Sequence, residues 1–189
     1  MRIITRIVVA IVVAGAVPAA SADPVATIVV TTCDDARVGQ KRLAAAERDV
    51  EQIYRKAGMA IEWQHDCAAN APGSLRLRIL DRAIPSDDRL AEDALGYAVI
   101  ASHTANVRLD RIYSISEIRG VSPHKILVAV IAHELGHVLL GPGAHTHSGI
   151  MQPAFNFGRS SLWPLSFSRE QAGKMLRSIA TRTRADATN

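Results

Sequence analysis

Cysteine is nearly absent from this 189-residue chain, which has only Cys33 and Cys67. A disulfide-stapled miniature is thereby excluded, and stability has to come from a hydrophobic core. Long apolar runs are equally wanting at the N-terminus, where the uncharged stretch 7–17 falls short of the roughly 20 residues that span a bilayer. Arg2 and Arg6 precede that stretch, Pro18 ends it, and Ala20-Ser21-Ala22 supplies the small residues a signal peptidase needs. Residues 1–22 are therefore expected to be a secretory signal cleaved after Ala22. A secreted or periplasmic protein with no membrane attachment after cleavage is the consequence. No cysteine stands directly after the apolar stretch, at the cleavage site, which argues against a lipoprotein. An excess of one charge sign is missing too. The formal net charge of +4 includes the two signal arginines, so residues 23–189 carry +2, with bases scattered among acids. Nucleic acid is not an expected partner. The one basic cluster, Arg177 with Arg182 and Arg184, reads as a solvated helix end and tail. No internal repeat or low-complexity tract occurs, and residues 23–189 are read as one domain, expected to be a monomer.

What is present is a run of alternating element signals. Residues 26–32 are rich in β-branched side chains and predict a strand with Cys33 at its end. Leu43, Ala46, Val50, Ile53 and Ala57 recur at helical spacing before Gly58, and residues 59–63 predict a second strand ending shortly before Cys67. Such a βαβ unit has parallel, neighbouring strands. Cys33 and Cys67 then lie at one end of it, close enough for the disulfide that an oxidising compartment favours. Residues 75–80 alternate apolar and basic, 82–93 form a polar loop, and 96–100 and 107–115 are further strand candidates. Ser122-Pro123 then opens an almost uniformly apolar helix over 124–140, which Gly141-Pro142-Gly143 stops. Ser168 and Gln171 form a capping box that starts a last amphipathic helix. The order predicts an α+β fold, a mixed twisted sheet of about five strands with a βαβ start, a buried helix and a C-terminal helix.

The buried helix carries HELGH, residues 133–137. Residues four apart share a helix face, so His133 and His137 can direct ring nitrogens at one Zn²⁺. Glu134, beside them, can reach a water at the ion's open position and take its proton. Two imidazoles and a carboxylate left unpartnered in so apolar a helix would cost several kcal/mol, and a metal removes that objection. Gly136 leaves the region between the histidines free of side-chain bulk. Catalytic zinc usually has three protein ligands, and the candidates for the third are His145 and His147, just past the glycine turn. His65, His103 and His124 lie near turns and are expected to be solvated; Trp63 is expected in the core and Trp163 under the loop that follows residue 153.

HELGHVLLGPGAH followed by GIM resembles the metzincin metallopeptidases, whose pattern is HExxHxxGxxH with a later methionine turn. The glycine comes one residue late here, at Gly141, and the histidine two or four late, at His145 or His147. The stretch is more similar still to short secreted bacterial zinc proteases with the signature HELGHLLLGxxAHxxxGIM, and that match favours His145. The resemblance implies a zinc-dependent endopeptidase with Glu134 as general base and Met151 as the turn methionine beneath the ligands. Its substrate is a peptide or protein, held along an edge strand formed by Gly96, Tyr97, Ala98 and Val99, with residues 106–110 as inner neighbour. No tyrosine follows Met151, so the transition-state donor that some relatives place there is absent; Arg159, His103 or a backbone amide could serve instead, with an ordinary loop role the favoured reading of each. Two alternatives share the same residues. One is a zinc-binding protein without peptidase activity, closed by His147 as fourth ligand; the other is a zinc hydrolase acting on a non-peptide amide or ester.

Overall fold

The computed structural model describes residues 24, 26–68, 73–82, 94–155, 157 and 165–186. The expected signal 1–22, Arg159 and Trp163 lie outside the described residues. The elements are β1 (Ala26–Asp34), α1 (Gln40–Lys56), β2 (Met59–Gln64), β3 (Leu75–Leu80), β4 (Gly96–Val99), β5 (Thr104–Arg108), α2 (Leu109–Arg119), α3 (Pro123–Leu140) and α4 (Arg169–Asp186). The five strands form one sheet in the order β2-β1-β3-β5-β4. All pairings are parallel except that of β4 with β5. The result is an α+β fold with a mixed sheet.

β1 sits between β2 and β3, and Val30 to Cys33 are buried in succession, as expected of an inner strand covered on both faces. β3 differs. Leu75, Leu77 and Ile79 are buried beneath the helices, whereas Arg76 and Arg78 are only half-buried on the other face. Arg78 forms an ion pair with Asp35 at 2.6 Å there. α1 buries Leu43, Ala46, Val50 and Ile53, the periodic positions of the sequence. Its first turn is prepared by Asp34, whose carboxylate accepts the Val38 and Gly39 N–H groups at 2.9 and 3.1 Å. β1 and β2 run in register from Ala26↔Met59 to Thr31↔Gln64. That pairing brings Cys33 and Cys67 to a Cα separation of 5.3 Å, and they form a disulfide. Trp63 is partly buried against the core, His65 is exposed beside Glu47 at 3.0 Å, and His124 is half-buried beside Asp49 at 2.7 Å.

One element departs from expectation. Residues 107–115 are a strand only as far as Arg108; from Leu109 the chain is the helix α2, closed by Gly120 at φ 63. Alternation through Leu109, Tyr113 and Ile115 suits a strand locally, but the helix buries Leu109 and Ile112, three apart, and packs on α3. Tyr113 and Ile118 are left exposed, which is the mark of tertiary packing overriding a local pattern. The edge strand's expected inner neighbour is accordingly Thr104–Arg108, paired Gly96↔Val107 to Val99↔Thr104. α3 packs against α1, α2 and α4 and against β3, β4 and β5, so it runs through the middle of the molecule.

Candidate metal centre

α3 is buried from Ile126 to Gly136. Ser122 precedes it without a side-chain capping bond, and Pro123 fills the position where a missing N–H costs nothing. On the face toward β4 the helix presents His133, Glu134 and His137. The His133 and His137 Nε2 atoms are 3.0 Å apart, and the His145 Nε2 lies 3.0 Å from that of His137. Ring nitrogens of all three lie within 4.8 Å of one another. Nitrogens held about 2.0–2.1 Å from one tetrahedral ion stand about 3.3 Å apart, so the three imidazoles fit a single cation. Neither His147, which is exposed, nor any other His, Cys, Asp or Glu among the described residues joins them as a fourth.

The return of His145 is built by hydrogen bonds beyond the helix stop. Gly141, at φ 86, ends α3 with its N–H on the His137 carbonyl at 2.8 Å. The Thr146 N–H then donates to the Met151 carbonyl at 2.8 Å, and its hydroxyl donates to the Ser148 carbonyl at 2.9 Å. The same hydroxyl accepts the Gln171 side-chain amide at 3.2 Å. Gln171 belongs to the capping box of α4, where its side chain accepts the Ser168 N–H at 2.8 Å and its own N–H donates to the Ser168 hydroxyl at 3.1 Å. The loop is thus pinned by the last helix.

The tautomer of His133 is set by the backbone. His133 Nδ1–H donates to the Ile150 carbonyl at 2.8 Å, which leaves the Nε2 lone pair pointing at the cluster. Burial lowers the His133 pKa to about 4, with the Ile150 bond opposing and the neighbouring histidines assisting. Burial first, then His145, also lowers that of His137, against a backbone hydrogen bond at Gly141. Neutral imidazoles are what a metal requires. Burial pushes the Glu134 carboxyl up to about 8.

Met151 is fully buried beneath the helix. A Cβ on Gly136 would come within 2.6 Å of the Met151 sulfur and 3.1 Å of Phe167 Cε1. Gly136 therefore makes room for the methionine under the helix; it does not clear the space between the histidines, as the sequence suggested.

A cleft of about 590 Å³ lies over the cluster. Gly96, Tyr97 and Ala98 of β4 form one wall, while Phe155 and Phe157 contribute another, Phe155 with its ring 5.5 Å from that of His133. Val99 belongs to β4 but does not line the cleft, nor does His103, which stands in the left-handed region at φ 51.

No protein-family model matches the chain, and no curated protein matches it in sequence. Solved structures do match in fold. The archaemetzincin of Methanopyrus kandleri superposes with a TM-score of 0.55 at 13% identity, over 87% of this chain and 99% of that one. The fold is archaemetzincin-like. The archaemetzincin of Archaeoglobus fulgidus, solved with malonate, gives 0.50 at 17% identity over 78% of this chain and 99% of that one. A zinc-dependent peptidase from Methanocorpusculum labreanum gives 0.47 at 13% identity, over 79% and 99%.

Within this archaemetzincin-like fold several site residues escaped sequence reasoning. Ile115 and Arg119 of α2 line the cleft, but the strand-like pattern around them hid the helix. The Ile150 carbonyl acts through its backbone, for which side-chain identity gives no signal.

Proposed function

We propose that the protein is a zinc-dependent metalloendopeptidase. The observation that carries this reading is the convergence of three imidazoles, from His133, His137 and His145, beside a buried Glu134 on the floor of a cleft walled by a sheet edge. The three histidines are the ligands, with Nε2 of His133 presented by the Ile150 carbonyl. Bound zinc supplies Lewis acidity that polarises a carbonyl and lowers the pKa of water. Glu134 takes a proton from the water that attacks the peptide carbon, and returns it to the departing amine. Among the described residues β4 pairs with β5 alone, so its outer edge offers backbone groups to an extended substrate, which would add as a further strand. Such pairing reads no side chain and suits peptides generally. Met151 supports the ligands from below and stays off the metal. Secretion is part of this reading, and the Cys33–Cys67 bridge suits an oxidising compartment.

Metal analysis and a mixed peptide library test the reading together. One zinc per chain is expected, with cleavage of internal peptide bonds that stops on adding chelator. Glu134→Ala should keep the zinc and lose at least about a hundredfold in kcat, while His133→Ala should lose the zinc itself. A Glu134→Ala protein as active as wild type would end the proposal.

A further inference from the structure

Gly96 opens β4 and faces Glu134 across the cleft floor. A Cβ placed on it would stand 2.6 Å from the Asn106 carbonyl oxygen, 2.9 Å from Glu134 Cγ and 3.0 Å from Glu134 Oε1. No side chain fits without moving either the neighbouring strand or the carboxylate. The backbone does not explain the glycine, because Gly96 is not among the residues with positive φ. A glycine within a strand weakens it, so close approach by another group is its physical justification. Among the described residues no hydrogen bond or ion pair holds the Glu134 carboxylate, and packing is left to set its rotamer.

We propose that Gly96 is a positioning residue for Glu134: the bare backbone at the start of the edge strand is the seat on which the carboxylate rests. This rests on the reading of Glu134 as general base. In that reading β4 has two tasks, pairing with the substrate on its outer edge and fixing the base from beneath. A methyl group at position 96 would push the carboxylate off line, and misplacement of about 1 Å costs up to a hundredfold in rate.

The test is a double-mutant cycle on the full chain: wild type, G96A, E134A and G96A/E134A, each examined for thermal midpoint and zinc content, and the first two for kinetics. G96A should lower kcat by about tenfold or more, with KM within about twofold and one zinc per chain retained. It should also lower the midpoint of wild type by at least about 4 °C more than that of E134A, since removing Glu134 removes two of the three close contacts. G96A that unfolds while G96A/E134A folds supports the proposal equally. Equal midpoint losses in the two backgrounds, or failure of both to fold, would assign Gly96 to the Asn106 carbonyl alone and overturn it, as would G96A with wild-type kcat. The midpoint coupling is measured without turnover, so a wild type that cleaves no peptide sinks the peptidase reading while leaving this coupling readable.

Discussion

Glu134 and His133 are neighbours whose burial acts on stability in opposite senses. In the folded chain free of metal, Glu134 titrates at about 8 against an ordinary value of 4.5, and His133 at about 4 against 6.5. The folded state thus holds an extra proton on Glu134 between those values, so stability falls as pH rises through that window. On His133 the folded state holds fewer protons than the unfolded chain, so stability rises with pH up to about 6.5. Below 6.5 the two oppose each other, and above it only the carboxyl remains. Chelator-treated protein should therefore lose thermal stability from pH 6.5 to 8, by a few kcal/mol at most, and E134Q should flatten that slope. Equal slopes in both proteins would show that Glu134 ionises normally. Gly136 offers a second residue-scale prediction. Alanine improves helix propensity by about 1 kcal/mol, but the contact with the Met151 sulfur is overpacking that costs roughly 1–3 kcal/mol. G136A should be less stable by calorimetry, and the cost of G136A should shrink when it is made in an M151A background.

At the scale of elements, the loop that carries His145 is an appendage of α4. Gln171 caps that helix and also reaches Thr146, next to His145. Removing its side chain should cost about 1 kcal/mol through the cap. It should also weaken zinc binding by about tenfold, the lower end for residues that orient ligands. S168A separates the two effects, because it breaks the cap hydroxyl and leaves the Thr146 contact in place. Competition against a chromophoric chelator should show near-normal affinity in S168A and reduced affinity in Q171A. Matching affinities in the two variants would make Gln171 a cap and nothing more.

For the molecule as a whole, the disulfide closes a loop of sequence separation 34 across the βαβ unit. Constraining such a loop in the unfolded chain is worth about 3–4 kcal/mol, so C33S/C67S should melt roughly 10 °C lower. That bridge was legible in the sequence because strand, helix and strand place both cysteines at one end by local pattern and handedness alone. HELGH was legible for the same reason, as four residues of helix fix one face. The sheet's strand content, the burial of α3 and the capping box of α4 likewise follow from periodicity and cap chemistry. Other features depended on contacts between segments far apart in the chain. α3 drew residues 109–119 into a helix against their alternating pattern, and Met151 and Glu134 gave Gly136 and Gly96 their purposes. The choice between His145 and His147 as partner to the helical pair was made by a loop tied at Thr146, Ile150 and Gln171. Local propensity reaches only a few residues along the chain, whereas the site needs atoms from α3, the loop and β4 placed within about one bond length of their working positions, and only the packed molecule supplies that.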